Sequence, residues 1–146
     1  MNSIWRDGVS LDLLRARRTA TLAEQLGIEL TELGPDYLVG TMPVDNRTCQ
    51  PMRLLHGGAS VALAETLGSL AANAANKHPD RRFVGLDINA NHMRGVPEGG
   101  QVTGTARPLH IGASTQVWAI EIVDAQSRLV CVARLTMAMV QRPSLA

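Results

Sequence analysis

One acidic residue, Glu65, lies in the middle of a long run of apolar and small residues. It is the only charged side chain in residues 57–76, between His56 and Lys77. Burying an ionised carboxylate without a partner costs several kcal/mol, so Glu65 should face a wet cleft or serve a function. We interpret it as a catalytic carboxylate in a substrate pocket. The alternative is a structural carboxylate that is hydrogen-bonded to Ser69 or to the backbone.

A His56-Gly57-Gly58 motif precedes Glu65 and marks the start of a predicted helix. Gly57 in the first turn can present a free backbone N–H with no side chain in front of it. The helix dipole adds to the attraction for a developing negative charge. Gly57 is therefore predicted to polarise a substrate carbonyl; the alternative is a glycine that only permits a turn. Glu65 follows Gly57 by about 12 Å of regular helix. Within one chain, this distance is too long for a thioester to contact both the Gly57 N–H and the Glu65 carboxylate easily.

Three more side chains near this motif could assist such chemistry. Ser69 follows Glu65 by one helical turn and could hold the carboxylate or a water, or bond back to the carbonyl four residues earlier. Gln50 can donate and accept at once, although loop glutamines are usually only solvated. His56 could hydrogen-bond a substrate, or it could be a helix cap or a packing residue.

The elements that position these residues are indicated by periodicity and turn residues. Residues 1–26 are predicted to form an N-terminal helical segment, in which Ser10 caps one short helix and a capping box at 21–24 starts another. Residues 57–76 form a long helix that is apolar enough to be buried on every side. Strands are predicted at residues 28–33, 37–44, 84–91, 101–109, 115–123 and 129–140, with a break at 110–112. In the strand after the helix, the core-facing side chains are predicted to be Val84, Leu86, Ile88 and Ala90.

These elements predict a single α+β domain spanning residues 1–146. A helix this apolar can be hidden only if the antiparallel sheet of about five or six strands curls around it. The sheet still has an open edge and an exposed apolar face, which predicts pairing with a second copy of the chain.

Composition excludes several classes of function. A chain of 146 residues with 45% hydrophobic and 18% charged residues is typical of one globular domain, and its net charge of +1 gives no reason to expect nucleic acid. The N-terminus lacks a secretory signal and the long helix is a poor membrane span. Cys49 and Cys131 show neither metal spacing nor a disulfide framework, and the histidines are too scattered for a metal site. The cytoplasm is the expected location.

From about residue 26 to about residue 140, the chain resembles the hotdog-fold acyl-CoA thioesterases of the 4-hydroxybenzoyl-CoA and phenylacetate-degradation type. It is most similar to the subgroup that includes the enterobactin proofreading and 1,4-dihydroxy-2-naphthoyl-CoA thioesterases. The most specific stretches are residues 42–48 (MPVDNRT), Gln50-Pro51, 54–69 (LLHGGASVALAETLGS) and 108–112 (PLHIG). The resemblance implies a dimer or dimer of dimers with active sites at the subunit interface. It also implies that Glu65 is the nucleophile or general base. The other residues for which it implies a catalytic role are Gly57, His56, Gln50 and Ser69.

The resemblance also suggests where coenzyme A would bind, as part of the substrate and not as a cofactor. Candidate contributors are His92 and Arg94 at a strand end, and the segment that contains His110, Gly112 and Ser114. Arg94 offers donors for phosphate, and Gly112 allows close backbone approach. Ala113 stands where relatives often carry Arg or Lys. Met52 and Arg53 replace the aromatic and small residues that are common beside this motif, so the acyl pocket, with Met52 in it, is expected to differ.

The predicted function is therefore hydrolysis of an acyl-CoA, with an aromatic or hydroxyaromatic acyl group, or of an acyl-carrier-protein thioester. One alternative is a 3-hydroxyacyl thioester dehydratase or hydratase on the same fold. A second alternative is a non-catalytic acyl-CoA sensor, which should lack the carboxylate. Glu65 lies on the helix that begins at the His-Gly-Gly motif, and this position favours hydrolysis.

Overall fold

The computed structural model describes residues 3–141. Two short helices are followed by two strands, a long helix and four further strands. The helices are α1 (Leu11–Ala16), α2 (Leu22–Gln25) and α3 (Gly57–Ala75). The strands are β1 (Glu29–Leu33), β2 (Leu38–Pro43), β3 (Arg81–His92), β4 (Gln101–Ile111), β5 (Thr115–Asp124) and β6 (Leu129–Gln141).

The six strands form one antiparallel sheet in the order β1-β2-β4-β5-β6-β3, with α3 packed against it. Strands β2 and β5 alternate buried and less buried residues, as expected for a sheet with one face on the core. The fully buried Leu67 fits against two glycines, because Gly40 and Gly104 pair across β2 and β4 and a Cβ on either would lie 2.8 Å from a Leu67 methyl group. The predicted sheet wrapped around one long helix is confirmed.

The N-terminal segment closes one end of this core. Ser10 caps α1 by accepting a hydrogen bond from the Leu13 N–H at 3.2 Å, as predicted. The Trp5 ring stacks on Trp118, with ring centroids 6.2 Å apart. The second short helix begins after Thr21, as predicted, but the bonds of the predicted capping box at 21–24 are not formed. Thr21 donates its hydroxyl proton to the Arg18 carbonyl, and Glu24 accepts from the Ala20 N–H at 2.8 Å.

Helix α3 is buried on one face only. Its fully buried side is formed by Ala59, Ser60, Leu63, Ala64, Leu67, Gly68, Ala71, Ala72, Ala74 and Ala75. The opposite side is half-buried and includes Val61, Ala62, Glu65, Thr66 and Ser69. The expectation that this helix is buried on every side is therefore wrong for a single chain, and Glu65 lies on the uncovered side.

Strand β3 forms one edge of the sheet and contains a bulge. The register shifts between Gly85 and Asp87, so Val84 and Leu86 are 45% and 66% exposed while Ile88 is half-buried. The predicted alternation is wrong at its first two positions, because the extra residue of a bulge moves side chains to the other face.

Two further features bound the sheet. Strand β4 continues to Ile111, so the predicted break at 110–112 is shorter, and a second register shift lies between Pro108 and His110. At the β3 edge, the Asn73 amide donates to the Phe83 carbonyl at 2.9 Å and accepts from the Phe83 N–H at 3.0 Å. Among residues 3–141, no helix has the length and apolarity needed to cross a membrane.

Candidate active site

The start of α3 leaves one backbone donor free. His56 is the N-cap residue, and its Nδ1 accepts a hydrogen bond from the Gly58 N–H at 2.8 Å. Nδ1 must therefore lack a proton, which places the proton of the neutral ring on the exposed Nε2. Among the described residues, the Gly57 N–H has no acceptor, as expected for the first turn of a helix. The cap thus fixes the tautomer of His56 while Gly57 stays available to a ligand.

A cleft of about 400 Å³ opens in front of this donor. It brings together four of the predicted site residues: Gln50, Gly57, His92 and Arg94. The His92 ring lies directly over Gly57, since a Cβ at position 57 would be 3.0 Å from Nε2. A side chain at this position would press against the imidazole unless the exposed ring moved aside.

The loop that carries Gln50 is held by its own hydrogen bonds. The Gln50 Oε1 accepts from the Met52 N–H, and the Gln50 N–H donates to the Leu54 carbonyl at 2.8 Å. The loop is also tied down where the Arg53 guanidinium forms an ion pair with Glu98, which lowers the pKa of that carboxyl group. Met52 is 76% exposed and does not line the cleft, whereas half-buried Gln50 does.

The Glu65 carboxylate faces β3 and is not sealed off. Its Oε1 lies against the backbone of Gly85, where a Cβ would be only 2.1 Å away. The side chain is half-buried and makes no hydrogen bond within the described part of the chain. Ser69 does not hold it, because the Ser69 hydroxyl lies 3.8 Å from the Met137 sulfur. Gly85 was not predicted as a site residue, although a glycine inside a strand indicates a close approach by another group.

The other predicted substrate-binding residues lie at the far end of α3. Gly112 lines a separate cavity of about 500 Å³ together with Ala75 and Asn76, where the helix ends. His110 and Ser114 are exposed beside it. A helix of this length places the Gly112 cavity about 27 Å from Gly57. One chain therefore does not bring the two predicted coenzyme A groups together.

Residues 3–141 contain no cluster of three or more His, Cys, Asp or Glu side chains placed to hold a metal ion. The chemistry of the described groups is that of a carboxylate, an imidazole and a backbone donor. Such a set can move protons and stabilise an oxyanion.

Comparison with known proteins assigns this architecture to the hotdog fold of thioester-cleaving enzymes. The chain belongs to the thioesterase superfamily, whose family model matches residues 52–131. It is 50% identical over 135 residues to the proofreading thioesterase EntH of Cronobacter turicensis, covering 92% of this chain and 97% of the relative. It is 47% identical over 135 residues to the 1,4-dihydroxy-2-naphthoyl-CoA hydrolase of Escherichia coli, covering 92% and 98%. A solved thioesterase from Haemophilus influenzae superposes with a TM-score of 0.91 at 43% identity, over 97% of this chain and 98% of the other.

Proposed function

We propose that this enzyme hydrolyses an acyl-CoA that carries an aromatic or hydroxyaromatic acyl group, releasing the free acid and coenzyme A. The observation that carries the proposal is the half-buried Glu65 carboxylate, which has no hydrogen-bond partner among residues 3–141. A carboxylate in that state is available to attack a thioester carbon as a nucleophile or to take a proton from the attacking water. One relative is named as the hydrolase of an aromatic acyl-CoA, which supports the substrate class.

Gly57 and its neighbours supply the remaining parts of the proposed reaction. As the water or carboxylate oxygen adds to the carbonyl carbon, the carbonyl oxygen becomes an oxyanion that the free Gly57 N–H stabilises. The C–S bond then breaks, and the exposed Nε2–H of His56 can donate a hydrogen bond to the leaving thiolate. With Glu65 as the nucleophile, water then hydrolyses the anhydride so formed, which releases the acid and restores the carboxylate. With Glu65 as the base, the proton taken from water passes on to the thiolate. Gln50 orients the substrate carbonyl or the water from the wall of the same cleft, and Ser69 is assigned to positioning the acyl end.

Glu65 and Gly57 lie eight residues apart on one helix, about 12 Å, so we place each active site between two copies of the chain. Glu65 of one copy would meet Gly57 of the other, in a homodimer or a dimer of dimers. The half-buried side of α3 and the exposed Val84 and Leu86 on edge strand β3 support such an interface. The same arrangement would join His92 and Arg94 of one copy to the Gly112 loop of the other around one coenzyme A.

We place the enzyme in the cytoplasm. Both of its cysteines, Cys49 and Cys131, are free thiols in the structure. Free thiols are typical of a reducing compartment.

Release of thiol tests the chemistry directly. Benzoyl-CoA, hydroxybenzoyl-CoA, straight-chain acyl-CoAs and one carrier-protein thioester would be mixed with enzyme and a thiol-reactive dye. Glu65→Gln should lower kcat by about 100- to 10,000-fold while substrate still binds. The matched control is Glu121→Gln, which removes an exposed carboxylate from β5 and should leave turnover unchanged. Near-normal turnover by Glu65→Gln would remove Glu65 from the mechanism, and consumption of a hydroxyacyl-CoA without thiol release would indicate dehydration instead.

Mixed oligomers test whether the site is shared. Glu65→Gln and Gly57→Pro subunits would each be inactive alone, but a mixed dimer contains one site with both groups intact. Co-expression in equal amounts should restore about a quarter of the wild-type activity, since half of the dimers are mixed and each has one good site of two. No recovery in dimers shown by mass to be mixed would place both groups of a site in one chain.

A further inference from the structure

A third pocket lies in the groove between α3 and β3, one helical turn along α3 from Glu65. It has a volume of about 200 Å³, and we call it the arginine pocket. Its lining residues are Arg6, Leu14, Arg17, Ser69, Leu70, Asn73, Ala74, Arg82 and Phe83. Ser69 lies one helical turn after Glu65, and Phe83 lies two residues before Gly85, which touches the Glu65 carboxylate. The pocket therefore continues the groove in which the carboxylate lies.

The lining of the arginine pocket combines an apolar floor with positive charge. Leu14 and Phe83 are buried beneath it, and three guanidinium groups surround it without an acidic side chain in the lining. Within residues 3–141, none of these three arginines forms an ion pair, whereas six other arginines do. Across the described part of the chain, this positive charge is thus not paired with a carboxylate, and it lies beside a small apolar cavity.

Two of these arginines are anchored, Arg6 through its backbone and Arg82 through its guanidinium. The Arg6 Nε–H is buried and has no acceptor among the described residues, and the Arg6 backbone N–H is tied to the Ala74 carbonyl at 3.0 Å. Arg82 is fixed because its Nη1 donates to the Pro79 carbonyl at 2.9 Å and the Arg81 carbonyl at 2.7 Å. A buried donor without an acceptor in the protein is rare, and the Arg6 Nε–H is available to a water molecule or to a ligand that accepts from it.

We infer that the arginine pocket receives the far end of the acyl group and selects acyl groups that carry a carboxylate there. The inference rests on the proposed function, because it assumes that the thioester carbon lies at Glu65. The four-residue rise from Glu65 to Ser69 at the pocket wall is about 6 Å, a span comparable with an aromatic ring and its para substituent. The ring would pack on Leu70 and Phe83, and the carboxylate would accept charge-assisted hydrogen bonds from Arg6 and Arg82.

A matched pair of substrates tests this selectivity. The ratio of kcat/KM for 4-carboxybenzoyl-CoA to that for 4-methylbenzoyl-CoA should exceed about ten in the wild type, as expected for a charge-assisted hydrogen bond to a desolvated carboxylate. Arg6→Met and Arg82→Met should each lower the ratio by about ten- to a hundredfold, mainly through the carboxylated substrate. Arg134→Met, on the exposed β6 position opposite Asn89, is the matched control and should leave the ratio unchanged.

Two results would overturn the inference: a wild-type kcat/KM ratio of one or less, or a high ratio that both folded variants retain. In either case, hydrolysis of the methyl substrate would still support the proposed function. Failure to hydrolyse either substrate counts against the proposed function alone. The pocket is then judged by calorimetric binding of the two corresponding amide analogues, which carry nitrogen in place of the thioester sulfur. Tighter binding of the carboxylated amide, weakened by Arg6→Met or Arg82→Met, supports the inference, and equal binding of the two amides overturns it. Circular dichroism confirms that each variant is folded.

Discussion

Replacing Gly57 by proline removes one hydrogen-bond donor and little else from the backbone. Proline is well tolerated at the first position of a helix, where its missing N–H would bond to nothing within the helix. The preceding residue must be extended, and His56 already has φ −70° and ψ 130°. The helix should therefore form in Gly57→Pro, and comparison with an alanine variant isolates what the free N–H contributes to catalysis.

The expected loss follows from the role of that donor. Removing one donor from an oxyanion site typically lowers kcat by about 100- to 1,000-fold, or about 2.7–4 kcal/mol of transition-state stabilisation. Gly57→Ala is the matched control, because it keeps the N–H but adds the same Cβ. That Cβ would lie 3.0 Å from the His92 Nε2, a contact that a small rotation of the exposed imidazole relieves, so we expect Ala to lose less than about tenfold.

The assay is steady-state thiol release from a benzoyl-CoA, with helical content and melting temperature measured for both variants. A large drop in kcat for Pro and a small one for Ala would support the oxyanion role. Equal losses in the two variants would assign the effect to displaced His92, and full activity in a folded Gly57→Pro would refute the assignment of Gly57.

Three other substitutions test features of the fold and the site. Gly85→Ala should push the Glu65 carboxylate out of place, since its Cβ would lie 2.1 Å from Oε1; kcat should fall by about tenfold or more, and a double-mutant cycle with Glu65→Gln should show no further loss. Leu67→Ala empties the slot between two paired glycines and should lower the free energy of unfolding by about 2–5 kcal/mol in urea denaturation. Burial alone would raise the pKa of Asp124, but hydrogen bonds from the Arg128 backbone and guanidinium outweigh it and lower the pKa. Its contribution to stability is thus present above the unfolded pKa of about 3.9 and is lost as the pH falls through the lower folded pKa. Asp124→Asn should be less stable than wild type at pH 7, and urea titrations should show a smaller loss of stability between pH 5 and pH 2; parallel curves would contradict this.

Much of the fold could be predicted because its local signals agree with its tertiary structure. The Ser10 cap, the start of α3 at Gly57 and the four long strands all follow from turn residues and periodicity. The bulge in β3 could not be predicted, because Val84 and Leu86 look like core residues and Gly85 looks like a gap. The gap is in fact filled by the Glu65 side chain, a contact that only the folded chain reveals.

The candidate site divides in the same way. Residues close in sequence to the His-Gly-Gly motif, such as Gln50 and Gly57, meet in one cleft with His92 and Arg94. The arginine pocket could not be predicted, because Arg6 and Arg82 are far apart in sequence and each resembles a solvated surface residue. Composition also overstated the burial of α3, since an apolar helix face indicates what it could cover and not whether one chain covers it.

The amide of Asn73 acts on strand β3 as a terminal stop. It bonds to both the N–H and the carbonyl of Phe83, as a neighbouring strand would. No strand continues from the amide, so the pairing ends there. Another strand can pair with β3 only beyond that residue, which shortens the exposed sheet edge that could start fibre formation. The same stop would fix which residues of two joined molecules lie opposite each other, so one amide could guard against aggregation and set the alignment of the assembly.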